Sequence, residues 1–247
     1  MGMTIHYDFA SKQKLDKIKG IVYELHKFAR SLPFESVGKV VQLQGDQCDF
    51  NKRDRDDPIS WMMIQARYHI ELKTKKGLVY DAVSPTQVIG FPTWPGRGCE
   101  MANFGLAQYP EKMKTNDGLK ETKLDGWQWR SFCKTQYASD PRFGGMNNLV
   151  KCHLLVIAML DKAKKLGILE HVSDGGDYWK SRDLAGLVGE TNSMNQIVAA
   201  VAGHIKDAGG EGVVAPITEF ANFEKLEAEG QAKVPLELIQ LIKQTRK

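Results

Sequence analysis

The hydrophobic pattern at the start of the chain predicts one strand followed by one helix. Thr4 to Phe9 is the strand candidate. After Ser11, a residue type that caps helix N-termini, apolar residues recur at spacings of three and four up to about Arg30. They form one stripe, made of Leu15, Ile18, Val22, Leu25 and Ala29. Pro33 is expected to stop the helix because proline removes a backbone donor.

From Met62 to Leu72 the pattern changes to strict alternation, which is typical of a strand. The even positions are apolar and are expected to face the core. The odd positions would then display an amide, a guanidinium, an imidazole and a carboxylate on the opposite face: Gln65, Arg67, His69 and Glu71. Leu78 to Val83 is expected to return as the partner strand of a hairpin. Val37 to Leu43 is a further strand candidate.

The segment from Phe91 to Pro110 contains three prolines and three glycines. It also contains three aromatic residues in addition to Phe91. Because proline removes donors and glycine weakens regular structure, we expect a shaped, partly buried loop over 92–109. Loops held by a scaffold are where binding groups collect. Trp127 to Tyr137 then alternates again, with Trp127, Trp129 and Cys133 on the probable core face.

The second half of the chain is predicted to be mainly helical. A mostly buried helix is expected from Leu149 to Leu166, capped by Asn147 or Asn148, and a strand from Ile168 to Ser173. The remaining predicted elements are a turn at 174–177, a short helix from Ser181 to Leu187, a helix from Asn192 or Ser193, and helices at Ile217–Glu229 and Pro235–Gln244.

The predicted strands are concentrated in the first half of the chain and the predicted helices in the second half. This order predicts an α+β fold rather than an alternating α/β fold. We expect a mainly antiparallel sheet from the N-terminal half, covered by helices mostly from the C-terminal half. A single domain over residues 1–247 is the preferred organisation, strand-rich over 1–140 and helix-rich over 141–247.

Composition narrows the class of protein. A formal net charge of +4 is compatible with an acidic ligand but falls far short of a basic nucleic-acid surface, so nucleic-acid binding is the least favoured function. Four scattered cysteines without an export signal predict a soluble, cytoplasmic protein with reduced thiols. No apolar run is long enough to cross a bilayer, and no C-x-x-C pair or cofactor motif occurs. We expect no membrane partner and no metal ligands.

Candidate chemistry concentrates in a pocket predicted beneath the 92–109 loop. Gly96-Arg97-Gly98 presents amides and a guanidinium suited to a carboxylate or phosphate. The predicted catalytic residues are His69, Glu71 and Glu100, because a carboxylate beside an imidazole supports acid–base work. The predicted binding residues are Arg67, Trp94, Arg97, Asn103, Tyr178 and Arg182.

Other interpretations of these residues stay open. Cys133 and His153 would form a nucleophile–base pair if the helix packs on the sheet, although His153 lies on an apolar stripe typical of a core histidine. Asp174 and Asp177 would either bind a divalent ion or cap backbone amides locally.

Three functions follow from these candidates. The first is a small-ligand-binding protein or enzyme acting on an anionic substrate by hydrolytic or transfer chemistry. The second is a non-catalytic interaction protein, such as a homodimer, that uses exposed aromatics and the C-terminal helices. The third is a weak nucleic-acid binder.

Overall fold

The computed structural model describes residues 3–49, 58–74, 77–115, 118–207 and 215–235. The strands are β1 (Thr4–Ser11), β2 (Ser36–Val37), β3 (Val41–Gln44), β4 (Tyr68–Thr74), β5 (Gly77–Val83), β6 (Gln87–Trp94), β7 (Ala102–Gln108), β8 (Lys112–Thr115), β9 (Gly118–Glu121), β10 (Trp127–Lys134) and β11 (Leu169–Asp174). The helices are α1 (Leu15–Ser31), α2 (Pro58–Ala66), α3 (Gly145–Lys165), α4 (Tyr178–Ser181), α5 (Leu184–Asp207) and α6 (Phe223–Gly230).

A seven-stranded antiparallel sheet organises the described part of the chain, in the order β11-β1-β10-β7-β6-β2, with β3 also pairing with β6. Two hairpins, β4–β5 and β8–β9, form separate two-stranded sheets. The predicted α+β class is therefore confirmed. None of the described helices has both the length and the apolar character needed to cross a bilayer.

Helix α1 confirms the predicted apolar stripe, since Ile18, Val22, Leu25 and Ala29 are all buried. Its N-cap is Lys14 rather than Ser11. Ser11 still belongs to β1, where its hydroxyl accepts a hydrogen bond from the backbone N–H of Gln13. The helix is therefore predicted correctly but begins one turn later.

The predicted strand from Met62 to Leu72 is wrong over its first half, where helix α2 runs to Ala66. Met62, Met63, Gln65 and Ala66 are all buried, so this stretch is apolar on more than one side. Pro58 fits the first turn of such a helix, where its missing N–H costs nothing. Only the stretch from Tyr68 is strand, and it pairs with β5 as predicted.

The predicted loop over 92–109 is also wrong, because most of it forms the central strands β6 and β7. Pro92 is tolerated in β6 because the strands that pair with that side of β6, namely β2 and β3, are interrupted opposite it. In the interruption, the Gly38 N–H donates to the Pro92 carbonyl oxygen (2.9 Å).

The close approach of β6 and β7 requires glycine where Gly90 faces Gly105. A Cβ on Gly105 would lie 2.6 Å from the Ile89 carbonyl oxygen.

In the helical half, the sequence predicts which stretches are helical better than it predicts where each helix begins and ends. Helix α3 is buried along most of its length, as expected, and Gly167 follows it in a left-handed conformation (φ 72°). Helix α5 is one continuous helix where two helices were predicted. At the start of α5, the Asp183 carboxylate accepts a hydrogen bond from the Ala185 N–H. Ile217–Glu229 is a 3-10 turn followed by α6. The predicted helix Pro235–Gln244 lies beyond the described residues after its first position.

The two faces of the sheet are covered differently. Helices α1 and α3 pack together over one face, above an aromatic core that includes Tyr7, Phe9, Phe91, Phe104 and Trp129. Helix α2 packs against β6, β7 and β10. Alternate residues of β1, β10 and β11 point away from the aromatic core and are exposed or half-buried, so this part of the sheet keeps a polar surface.

Candidate functional site

Three polar residues lie side by side across the solvent-facing side of β10, β1 and β11. In the strand register, Asp8 is directly opposite Arg130 on one neighbour and directly opposite His171 on the other. Residues opposite each other on antiparallel strands have Cβ atoms roughly 5 Å apart, so their side chains interact. A carboxylate therefore lies between a guanidinium and an imidazole.

The Asp8–Arg130 contact is bidentate. Arg130 Nε donates to Asp8 Oδ1 (3.1 Å) and Nη2 donates to Oδ2 (3.4 Å). Nη2 also donates to the hydroxyl of Tyr68 (3.1 Å), and the guanidinium lies 4.5 Å from the centre of the Tyr68 ring. Partial burial lowers the pKa of Arg130, but the Asp8 carboxylate more than offsets this and raises it above its ordinary value. These hydrogen bonds orient the guanidinium, and about half of the Arg130 side chain is exposed to solvent.

The Asp8–His171 contact is looser. His171 Nδ1 lies 4.0 Å from Asp8 Oδ2, and the two side chains are 63% and 28% exposed. The register shifts between Asp8 and Phe9, so Glu170 is an extra residue at a β-bulge beside His171. Bulges re-aim neighbouring side chains and occur often beside functional sites. His171 Nε2 lies on the far side of the ring from Asp8.

The next row along the same side contains Phe132, His6 and Ser173, again directly opposite one another. His6 packs against the Phe132 ring (centroids 5.6 Å apart) and is exposed, as is Ser173. Lys134 extends the set and lies over the Tyr137 ring. We call the following group the open face: His6, Asp8, Arg130, Lys134, His171 and Ser173. The group carries two permanent cations, Arg130 and Lys134, and one carboxylate, Asp8, with the exposed Glu170 beside it.

A second histidine–aspartate pair is buried at the other side of the sheet. His153 Nε2 lies 3.2 Å from Asp174 Oδ2, and the Thr135 hydroxyl lies 3.2 Å from His153 Nδ1. Asp174 also accepts hydrogen bonds from Gly176 N–H (2.9 Å) and Trp179 N–H (2.8 Å). Burial raises the pKa of the Asp174 carboxyl, but the hydrogen bond and charge of His153 and the two amides lower it below its ordinary value overall.

This buried array resembles a hydroxyl–imidazole–carboxylate triad in its order of groups, yet Thr135 and His153 are fully buried. A nucleophile must reach its substrate, so we assign the array a structural role. The hydrogen bonds of Asp174 agree with the local-cap interpretation of this turn. Cys133 is not part of the array: its thiol donates to the Glu100 carbonyl oxygen (3.2 Å), while both ring nitrogens of His153 have other partners.

The predicted catalytic residues lie on two different elements. His69 and Glu71 are exposed on β4, where the Glu71 carboxylate accepts from the Tyr80 hydroxyl (3.4 Å). Glu100 is half-buried in the β6–β7 connection and accepts from the backbone N–H of Lys134 (3.3 Å). The structure therefore places His69 beside Glu71 on one strand and Glu100 beside β10.

The predicted binding residues are similarly dispersed. Asn103 is fully buried and donates to Gln65 Oε1 (2.6 Å), and the Trp94 indole donates to the Cys99 carbonyl oxygen (3.2 Å). Arg97 is exposed on the connection, and Arg67 is half-buried between α2 and β4.

Tyr178 and Arg182 do come together. The Arg182 guanidinium lies over the rings of Tyr178 (5.9 Å) and Trp179 (4.6 Å) and makes a bidentate contact with Asp161 (2.8 and 3.0 Å). Trp179 is thereby covered on one side by a cation rather than presented as a bare aromatic surface.

Sequence reasoning missed the residues of the open face. The alternation of buried Tyr7 and Phe9 with polar His6 and Asp8 was the available signal, together with the polar positions of β10. Nothing in the local pattern shows that these strands are neighbours. Among the residues that the structure describes, no group of three or more His, Cys, Asp or Glu side chains could hold a metal ion.

A scan against protein-family models and searches of the curated proteins and of the solved structures gave no match to this chain.

Proposed function

We propose that the protein binds a small anionic ligand on the open face, with Arg130 as the anchoring group and His171 as an acid–base group. The observation that carries this proposal is the register that puts Asp8 between Arg130 and His171 on a solvent-facing surface. The sequence also favours an anionic ligand, but it predicts the binding site at the 92–109 segment, whereas the site proposed here lies on the open face of the sheet.

Arg130 is suited to the anchoring role because Asp8 and Tyr68 hold its plane through Nε and Nη2. Nη1 makes none of these hydrogen bonds and would donate to the ligand. Hydrogen bonds from a guanidinium to a carboxylate or phosphate oxygen are charge-assisted and therefore strong. Lys134 and His6 would add positive charge or donors on either side of a bound anion.

His171 is suited to proton transfer because its imidazole lies beside the Asp8 carboxylate, with Nδ1 4.0 Å from Oδ2, and 63% of the side chain is exposed to solvent or substrate. An acid–base group contributes about 10²–10⁴-fold to a rate when it reaches the reacting atom. Hydrolytic or transfer chemistry on an anionic substrate is therefore the reaction class we propose. None of the four cysteines is in a disulfide, which supports placing this activity in a reducing, cytoplasmic compartment.

The anchoring role is tested with inorganic phosphate and citrate as probes, by calorimetry and thermal shift on the whole chain. We expect wild-type binding with Kd of about 1 mM or tighter, and at least about tenfold weaker binding for Arg130→Gln. Arg182→Gln is the matched control, since Arg182 also pairs with a carboxylate and lies over an aromatic ring, and it should bind as wild type. If Arg182→Gln weakens binding and Arg130→Gln does not, the binding site lies in the 174–183 region instead.

The acid–base role is tested separately with p-nitrophenyl phosphate and p-nitrophenyl acetate. We expect His171→Asn to keep phosphate affinity while lowering turnover by about a hundredfold. His153→Asn is not a suitable control because it disturbs the core, whereas the exposed His69→Asn should be silent. If wild type binds phosphate but turns over neither compound, the catalytic part of the proposal fails for esters and the binding part stands.

A further inference from the structure

A second chemically distinctive place lies where the β6–β7 connection meets helix α3. The connection makes a tight turn, closed by a hydrogen bond from Cys99 N–H to the Gly96 carbonyl oxygen (3.1 Å). Asn148 of α3 holds this turn by donating to the Arg97 carbonyl oxygen (3.0 Å). Cys152, one helical turn further along α3, lies under the same turn: a Cβ on Gly96 would be only 2.9 Å from its sulfur.

The two thiols on these elements belong to one packed cluster. Cys99 is half-buried and packs against the small buried cluster to which Cys152 belongs. Cys152 is fully buried, so the turn that carries Cys99 lies between it and solvent. Neither cysteine is in a disulfide in this structure.

The remaining thiols have different surroundings. Cys133 is buried on β10 and donates to the Glu100 carbonyl oxygen, and burial raises its pKa well above the ordinary value. Cys48 is buried in a different part of the core. Among the four cysteines, only Cys99 is more than marginally exposed.

We propose that Cys99 and Cys152 are a reversible redox pair, which a hydroperoxide such as hydrogen peroxide converts to a disulfide that ties the β6–β7 connection to α3. The geometry supplies what this modification requires, namely one thiol near the surface, a second thiol in the cluster against which it packs, and a short turn that carries the first and covers the second. The proposal is independent of the open face.

The neighbouring thiols shift each other's pKa in opposite directions. Interaction with the Cys99 thiol lowers the pKa of Cys152, partly opposed by burial and assisted by Lys151. The same interaction, together with burial, raises the pKa of Cys99. The first thiolate of the pair is therefore Cys152. Because a thiolate is the nucleophile in thiol oxidation, Cys99 reacts as its proton passes to the Cys152 thiolate.

The reaction balances in two steps. In the first, the Cys99 sulfur attacks one oxygen of hydrogen peroxide as its proton passes to the Cys152 thiolate, the O–O bond breaks, and Cys99 sulfenic acid and hydroxide form. In the second, the Cys152 sulfur attacks the Cys99 sulfur, the S–O bond breaks, and the departing hydroxide takes the Cys152 proton as water. Two thiols are oxidised and one peroxide is reduced.

The test treats the folded, reduced chain with hydrogen peroxide, blocks the remaining thiols with iodoacetamide in denaturant, and maps the peptides by mass spectrometry. We expect loss of two alkylatable thiols, a cross-linked peptide pair containing Cys99 and Cys152, and full reversal by dithiothreitol. Cross-linking of this pair should be at least about tenfold faster in the folded chain than in urea, because packing in one cluster raises the effective concentration of the second thiol.

The controls identify the pair without relying on one variant. Cys48→Ser should give the same cross-link at the same rate, whereas Cys99→Ser should give none. Cys152→Ser should leave Cys99 as a sulfenic acid that dimedone traps. Equal rates in folded and unfolded chains, a cross-link from Cys99 to Cys133, or four intact thiols under peroxide that fully oxidises free cysteine would each overturn the proposal.

Discussion

Two histidine–aspartate pairs share strand β11, and their surroundings differ in almost every respect. His153 and Asp174 are 3.2 Å apart with side chains 0% and 2% exposed. His171 and Asp8 are 4.0 Å apart with side chains 63% and 28% exposed. Asp174 and His171 are only three positions apart on β11, but they lie on opposite faces of the sheet.

This difference in exposure indicates which histidine–aspartate pair is available for chemistry. A buried carboxylate is tolerated only when hydrogen bonds replace the water it has lost, and Asp174 has such bonds from His153, Gly176 and Trp179. Every side-chain polar atom of that pair is hydrogen-bonded, which ties β11 to α3, to the start of α4 and to Thr135. Asp8 keeps its partners at the surface, where an exposed ion pair contributes little stability and both side chains remain partly accessible to a ligand.

Removing each aspartate should therefore have unequal effects on folding. Asp174→Ala leaves His153 and two amides without their acceptor, and we expect it to lower the free energy of unfolding by about 3–5 kcal/mol. Asp8→Ala should lower it by about 1 kcal/mol or less. Urea unfolding of the two variants checks the comparison. Equal losses would show that the exposed pair is also structural and would weaken the assignment of the open face to a ligand.

Acid should affect the buried pair in a predictable direction. The folded-state pKa of Asp174 is below its ordinary value of 3.8, so its contribution to stability is complete above that value and is lost as the pH falls through the folded-state pKa. Asp174→Asn lacks this titration. We therefore expect the stability difference between wild type and Asp174→Asn, measured by urea unfolding, to shrink between about pH 5 and about pH 2. A constant difference would mean that the lost hydrogen bonds, and not the charge, explain the destabilisation.

The elements that the sequence predicted well are those with one clear period. Buried Trp127, Trp129 and Cys133 alternate with more exposed residues along β10, and the stripe of α1 recurs every three to four residues. Each pattern is local and depends on only one element packing against a core. The α+β class follows from such local patterns alone.

The failures occur where tertiary structure overrides a local rule. Gln65 looked like a surface residue of a strand, but it is a buried residue of α2 whose amide oxygen accepts from Asn103 and Ser131. Pro92 looked like a strand breaker, but an interruption in the neighbouring strands accommodates it. Alternation over a few residues does not separate a strand from a helix that is apolar on several sides.

The open face was beyond sequence reasoning for a different reason. Asp8 and Arg130 are 122 positions apart in the chain, and Asp8 and His171 are farther apart still. Only the strand order β11-β1-β10 makes them neighbours. Each of the three residues by itself looks like an ordinary solvent-facing residue of an antiparallel strand.

The smallest expected effect is also the one that tests most directly whether the open face is free to take a ligand. A double-mutant cycle of Asp8→Asn and Arg130→Gln should give a coupling energy of about 0.5 kcal/mol at low salt, because the pair is half-exposed and screened by water. Ions screen exposed pairs, so the coupling should become undetectable in about 1 M sodium chloride, whereas the loss caused by Asp174→Ala should persist there. A coupling above about 2 kcal/mol that survives salt would mean that Arg130 is fixed on Asp8 for stability. The exposed pair would then be structural as well, and the contrast between the two pairs would no longer separate structure from function.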